Sequence, residues 1–412
     1  MKCKFCNTTV EKPTFDIGNT AISNDLIPKD RLNSLEKTYP LIFYVCPLCL
    51  LAQTEQYKEG YEIFGDDYVY FSSYSSHWLR HAKQYVEDIT IRLNLDKSSF
   101  VMEVASNDGY LLKNFVEKNI KCLGVEPTRS TAQEAIKKDI PTIIDFFNLE
   151  LADRLEKEGN QADLIIANNV LAHVPDINDF VASLKKVLKK DGTITIEFPH
   201  LLCMIEKNEF DTIYHEHFFY FSVLALVKIF SKYNLSIYDL DELETHGGSI
   251  RVYVAHTDSN TDKNSDKENL NRILNKELSY GLDSLGYYEK LQHNAFDIKL
   301  NSLQYLIQNK LDGKRIIAFG AAAKGNTFLN YCGIKSDIIE AVVDETPNKI
   351  GKYLPQSKIP ILPFSSIKNL KPNVIVILPW NHKDEILNKL GFTKEWGCDI
   401  VTFIPKLEVL GW

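Results

Sequence analysis

Between Phe100 and Phe198, apolar runs of strand type alternate with stretches of helical periodicity. The strand-like runs are Phe100–Val104, Lys121–Val125, Asp163–Ala167 and Gly192–Phe198; Tyr110–Asn119, Arg129–Lys138 and Ile177–Lys190 read as helices between and before them. Strands separated by helices predict a parallel sheet covered on both faces. A second series of the same kind begins at Lys314–Phe319, turns through Gly320–Gly325 into a helix, and continues with Ile339–Val343 and the fully apolar Val374–Leu378. Ahead of the first series, Trp78, Leu79, Ala82, Tyr85, Val86 and Ile89 recur at helical spacing. Ser249–Ala255 reads as a strand, residues 257–268 as a polar loop, and residues 280–310 as helical. The first 60 residues show little helical periodicity. The pattern predicts an α/β chain in four parts: a small module over 1–65, an α/β domain over 66–256, a polar linker with helices over 257–310, and a second, Rossmann-like α/β domain over 311–412.

Composition narrows the function classes. Apolar residues make up 44% and charged residues 25% of the 412, the balance of a folded globular protein. With 47 positive against 55 negative side chains and no long basic run, binding to nucleic acid or to a membrane surface is not expected. No apolar run approaches the ~18 residues of a membrane span. The opening residues, MKCKFCNTTV, lack the apolar core of an export signal, which predicts a cytoplasmic, reducing location.

The eight cysteines are crowded at one end. Cys3-x-x-Cys6 and Cys46-x-x-Cys49 have the spacing of two metal knuckles, in which one tight turn aims both sulfurs at a tetrahedral ion. A closed four-thiolate shell keeps no open coordination position, so the expected zinc is structural. The single histidines elsewhere, among them His81 and His200, read as surface or packed residues.

Val101 to Tyr110 (VMEVASNDGY) runs from strand through a small-residue turn into a helix, a geometry that presents backbone N–H groups to a ligand. Glu126 closes the next strand, where a carboxylate can accept the hydroxyls of a ribose. Alone, these features suit any adenosine cofactor. Together, E-V-A-S-N-D-G followed by G-V-E-P resembles the cofactor site of class I S-adenosylmethionine-dependent methyltransferases. The resemblance implies that Glu103, Ala105, Ser106 and Asn107 hold the methionyl part and Glu126 the ribose. Phe146 and Phe147 would flank the adenine, with Asn168 beyond the fourth strand. Ala105 and Asn107 stand where glycines are commoner in such loops.

The densest chemical cluster is Phe210 to Tyr220 (FDTIYHEHFFY). His215 and His217 are too close in sequence for a helical zinc-protease pair. Histidine is the natural proton acceptor near neutral pH, and Glu216 is placed to orient it. This run, the paired cysteines, His246-Gly-Gly-Ser-Ile-Arg251 and Gly320-Ala-Ala-Ala-Lys-Gly325 together resemble the sugar C-methyltransferases that act on nucleotide-linked keto-deoxysugars. That resemblance spans essentially the whole chain. It implies a zinc-binding amino-terminal domain, a methyltransferase domain and a carboxy-terminal domain that helps hold the nucleotide-sugar. It places the base at His217, with Tyr214, Glu216, His173 and Tyr68 around it and Tyr70 as the alternative to Tyr68. A regular strand would turn Tyr214 and Glu216 away from His217. Ala321, Lys324, Asp344, Asn348 and Lys349 beside the second crevice, with His246 and Arg251, are the expected nucleotide-sugar contacts. The reaction implied is proton removal from C3 of a 4-keto sugar, followed by methyl transfer to that carbon. Sugar O-methylation and a non-catalytic nucleotide-sugar scaffold are the alternatives.

Overall fold

The computed structural model of the chain describes residues 1–58, 71–263 and 265–410. Phe100–Val104 is buried along its whole length and lies in parallel between Lys121–Val125 and Ala162–Ile166. Thr142–Ile143 extends this sheet on one side and Leu188–Pro199 on the other, again in parallel. Ser249–His256 then runs antiparallel to both Leu188–Pro199 and the outermost strand, Leu235–Leu243. The strands expected over 100–198 thus pair in parallel as expected, and the last two make the seven-stranded sheet mixed. The reason is the connection: residues 244–248 are too few for a crossover, so the last two strands form a hairpin. The strand order is that of the class I methyltransferase fold. It reverses beside Phe100–Val104, which opens a crevice at the carboxyl ends of the central strands.

Two helices differ from their sequence patterns. Ile177–Val187 starts on Asp176, whose carboxylate accepts the N–H groups of Asn178 and Asp179, and buries Ile177, Phe180, Val181, Leu184 and Val187. It stops before Lys190 because Leu188 already pairs with Ala162 in the sheet. The helix expected from Tyr110 is regular only over Lys113–Glu117, since the preceding chain is bent by left-handed residues at Ala105, Asn107 and Gly109.

The second sheet has Ile316–Phe319 at its centre, flanked by Val342–Asp344 and Val374–Ile377, with Ile361–Pro363 and Asp399–Thr402 outside them. All of these pair in parallel, and Glu408–Leu410 closes one edge antiparallel. An antiparallel amino-terminal sheet, Phe15–Thr20, Tyr39–Val45 and Ala52–Thr54, takes its fourth strand, Phe219–Tyr220, from the middle of the chain. It shares cores with both neighbours. Cys3, Phe5, Tyr44 and Leu51 pack with Ile165 and Phe180, whereas Phe15, Leu41 and Phe43 pack with Leu201, Tyr288 and Phe328. Among the described residues no helix is long and apolar enough to cross a membrane.

A buried ion pair ties helix Glu268–Tyr280 to the central domain. His200 Nε2 lies 2.7 Å from Glu277 Oε1, and the same carboxylate accepts the N–H groups of Val223 and Leu224 at 2.7 and 2.8 Å. Burial alone would lower the His200 pKa, but hydrogen bonds to Cys203 and Glu277 outweigh it and hold the imidazole up at about 9. Glu277→Ala strips three donors of their acceptor and is expected to destabilise the protein by about 3–5 kcal/mol. Because the folded His200 pKa is raised, the share owed to its charged ring is complete below about pH 6.5 and is lost as pH rises through about 9, while the two N–H bonds remain. Chemical denaturation of both proteins at pH 6 and pH 10 measures this. An equal gap at the two pH values would contradict it.

Candidate functional site

The four paired cysteines meet. All four sulfurs lie within 4.8 Å of one another, with Cys3–Cys49 and Cys6–Cys46 each at 3.5 Å. A tetrahedral zinc with Zn–S of about 2.3 Å needs sulfurs about 3.8 Å apart, so the cluster fits that ion. Both knuckles are built alike. Asn7 N–H donates to the Cys3 carbonyl and Leu50 N–H to the Cys46 carbonyl, each at 2.9 Å. Asn7 and Leu50 are both left-handed, which folds the second sulfur of each pair back over the first. Cys3, Cys46 and Cys49 are buried, so this is a closed structural centre.

At the crevice of the central sheet, Glu103 and Glu126 end neighbouring strands. Burial drives the Glu103 carboxyl well above its ordinary range, and the nearby Glu126 and Asp108 add to the rise. Glu126 accepts from Asn107 N and Thr128 N, both at 2.9 Å, which braces the 105–109 turn against the second strand. That turn alternates left-handed residues at 105, 107 and 109, the glycine-like path without glycine at two of them. A non-glycine residue there costs about 1–3 kcal/mol, a strain concentrated at sites that need the shape. Glu103 Oε2, Ser106 Oγ and Asn168 Oδ1 are buried at these strand ends with no partner among the described residues. A ligand with several donors fits this set. Phe146 is 39% exposed and faces outward, but Phe147 packs into the core against Phe180 at 5.6 Å. The two phenylalanines therefore face different ways, Phe146 to the surface and Phe147 to the core.

His217 is held in a turn, not a strand. Its N–H donates to the Tyr214 carbonyl at 2.9 Å, so the two side chains come together and Tyr214 Oη lies 2.7 Å from His217 Nε2. His217 Nδ1 faces the Thr212 carbonyl at 3.1 Å, which can only accept. The ring therefore carries its proton on Nδ1 and presents the Nε2 lone pair to the Tyr214 hydroxyl. The His173 ring is 4.7 Å from that of His217, and its Nδ1 bonds the Glu216 carbonyl at 2.7 Å. Desolvation lowers the His173 pKa to about 4. It also lowers that of His217 well below the ordinary value, with His173, Lys324 and His246 contributing. Both imidazoles are neutral at pH 7. Glu216 does not orient His217: its buried carboxylate turns the other way and accepts from Asn24 N and Nδ2 at 3.2 and 3.1 Å. Tyr68 and Tyr70 lie outside the described residues.

The second sheet supplies the opposite wall. Lys324 lies in the first turn of the helix Ala323–Cys332 and sits 4.6 Å over the Trp380 ring, its Nζ buried and without a hydrogen-bond partner among the described residues. Trp380 Nε1 donates to Asp211 at 2.9 Å. Beside it is Glu209, whose Oε1 has no partner. Desolvation raises Glu209 to about 8 and Asp211 to about 6, against the pull of Lys324. Gly247 is required here, since a Cβ on it would lie 2.2 Å from Glu209 Oε1 and 2.9 Å from Trp380. Neither acid was singled out in the sequence, although both adjoin the histidine cluster. Asp344 accepts from Ala321 N at 2.8 Å and Thr346 N at 2.7 Å, while Lys349 bonds the Ala321 carbonyl at 2.9 Å. These two brace the 320–322 turn, and Asn348 is exposed.

Arg251 is placed differently from expectation. Only 6% exposed, it bonds Glu197 at 2.6 Å and covers the Tyr85 ring at 4.3 Å. Its guanidinium is committed inside the central domain and does not reach a diphosphate. His81 completes that cluster 2.9 Å from Glu197, beneath Trp78, which also contacts His246 at 5.6 Å. Against the cost of burial, the His81 hydrogen bond and the Arg251 charge hold Glu197 down at about 2. Spacing along the chain could not reveal this network, because 116 and 54 residues separate its members.

Three family models match in succession: "Putative zinc binding domain" over residues 3–64, "Methyltransferase domain" over 78–240 and "C-methyltransferase C-terminal domain" over 244–405. The C-methyltransferase NovU of Streptomyces niveus is 28% identical over 410 residues, covering 99% of this chain and 96% of the relative. Along essentially its whole length the chain is similar to S-adenosylmethionine-dependent C-methyltransferases. Among solved structures, magnesium protoporphyrin IX methyltransferase (ChlM) from Synechocystis with bound S-adenosylmethionine is 15% identical, with TM-score 0.33, covering 48% of this chain and 88% of that one. An S-adenosylmethionine-dependent methyltransferase from Clostridium acetobutylicum is 12% identical, with TM-score 0.35, covering 43% and 92%. The likeness to C-methyltransferases rests on the three family models and the whole-chain relative, not on those two structures.

Proposed function

We propose that this C-methyltransferase acts on a nucleotide-linked 4-keto-deoxysugar and methylates it at C3, with His217 as the base. The observation that carries the reading is the fixed tautomer of His217, whose Nε2 lone pair meets the Tyr214 hydroxyl at 2.7 Å. S-adenosylmethionine, held by Glu103, Ser106, Asn107, Glu126 and Asn168, supplies an electrophilic sulfonium methyl group. A sugar carbon is a poor nucleophile until the proton alpha to its ketone leaves. His217 Nε2 takes that proton as the C–H pair moves into the enolate, whose oxygen needs a donor. The Tyr214 hydroxyl, already aimed at Nε2, is the donor at hand. The new C–C bond then forms at the former C–H carbon as the sulfur–methyl bond breaks, and the proton on His217 passes to solvent.

On the opposite wall, Lys324 and the 320–322 turn would take the diphosphate. His246, left-handed and with its pKa lowered by burial to about 4, would approach the sugar as a neutral group. The amino-terminal domain would serve as a zinc module, and the segments 66–256 and 311–412 would divide cofactor from nucleotide-sugar. The test is turnover of thymidine-, GDP- and CDP-linked 4-keto sugars, read by mass spectrometry and repeated with deuterium at C3. One sugar should gain a methyl group and lose the label. Methylation that keeps the deuterium would assign the reaction to a hydroxyl instead, and failure to bind S-adenosylmethionine in calorimetry would leave only a scaffold.

A further inference from the structure

The strand Ala52–Thr54 follows the second metal knuckle, yet its outer edge is spent on the loop that carries His217. Ala52 pairs with Tyr220 and Gln53 with Phe219. Thr54 N donates to the Phe218 carbonyl at 3.0 Å, and the Thr54 hydroxyl donates to the His217 carbonyl at 2.8 Å. The same strand is tied to the sulfur cluster. Gln53, fully buried, donates Nε2 to Cys3 Sγ at 3.3 Å and accepts from Lys4 N at 2.9 Å, while Cys46 N donates to the Leu51 carbonyl at 3.0 Å. Phe219–Tyr220 is only two residues long, and its flanks are held elsewhere, Phe218 N–H by the Ala172 carbonyl at 2.7 Å and the Phe221 carbonyl by Leu201 N–H at 3.0 Å.

We propose that the metal module positions the catalytic base: Thr54 fixes the main chain at His217, and the cysteine cluster fixes Thr54 through Gln53. The inference rests on the reading of His217 as the base. A metal-bound thiolate is a stronger acceptor for the Gln53 amide than a neutral thiol, so the tie is tightest with the metal in place. A base displaced by about 1 Å loses on the order of 10²-fold in rate. Thr54 is thus a positioning residue that acts through the main chain.

The test is Thr54→Val in the full chain, with Thr54→Ser as the conservative rescue. Methyl transfer kinetics are read beside amide hydrogen exchange over residues 217–220. In Thr54→Val, kcat should fall about ten- to a hundredfold with KM for S-adenosylmethionine unchanged. Amides 219 and 220, paired with Ala52–Gln53, should exchange faster both in this variant and in wild-type protein stripped of metal by a chelator. Val374–Ile377, in the second sheet, should stay protected throughout, and Thr54→Ser should restore both readouts. Native protection of 219 and 220 in Thr54→Val and after chelation would overturn the proposal. Faster exchange with unchanged kcat would overturn it too, leaving Thr54 a structural tether, while His217→Asn tests the base separately.

Discussion

Replacing His217 by asparagine is expected to lower methyl transfer by about 10²–10⁴-fold, the usual contribution of a positioned general base. Asparagine keeps the size and can still donate toward the Thr212 carbonyl, so the turn closed by the His217 N–H and Tyr214 carbonyl should survive. What it lacks is a basic lone pair. Exchange of the substrate's C3 proton with solvent should disappear together with methyl transfer, and S-adenosylmethionine should bind as before. Turnover close to wild type would remove His217 from the role. The pH dependence of the wild type supplies a second check. The active form is the neutral ring, and burial has pushed the His217 pKa well below 6.5. In the free enzyme, kcat/KM should therefore stay flat as pH falls through 6.5 and drop only at more acid values. A base so weakened is poorly matched to a carbon acid, so donors to the enolate oxygen must carry much of the barrier. Tyr214→Phe should for that reason lower kcat while sparing proton-independent cofactor binding.

Local chemistry was legible in the sequence where one segment holds the whole device. The two knuckles follow from cysteine spacing, and the 101–110 turn and Glu126 follow from strand ends. The contact of His217 with Tyr214 lies within the dense 210–220 run. The sequence reading failed where neighbours come from distant segments. Glu216 looked like a partner of His217 because the two are adjacent, but a turn separates their directions and Asn24 claims the carboxylate. Arg251 looked like an anion site beside two glycines, yet strand pairing places it opposite Glu197. Phe147 shares a motif with Phe146 but lies on the inner face of the chain. In each case periodicity gave the element and burial decided the side chain's use. The mixed pairing of the central sheet has the same origin, since alternating strands and helices do not show that the final pair is a hairpin.

Cys46→Ser is expected to abolish stoichiometric zinc and to lower stability far more than any surface change. Serine removes one of four sulfurs from a closed shell, and a zinc centre of this type contributes apparent folding free energy of about 10–16 kcal/mol in small zinc-finger peptides. That is as large as the whole stability of an ordinary domain, about 5–15 kcal/mol. The module cannot hold its shape on apolar burial alone. Its cysteines lie in one core with Phe5, Tyr44 and Leu51, and that core continues into Ile165 and Phe180 of the central domain. Loosening the knuckles therefore opens an internal face, not a peripheral one. Metal analysis should find zinc in the wild type and none in the variant, with a thermal transition lowered or split into two. The central sheet should outlast the module, because Phe100–Val104 and Ala162–Ile166 are buried between parallel neighbours that the metal does not touch. Wild-type protein free of zinc, or a Cys46→Ser protein that melts with the wild type, would show that the sulfurs pack without a structural ion. Zinc-dependent stability would show instead that the ion helps hold the amino-terminal sheet, whose edge pairs with the loop carrying His217.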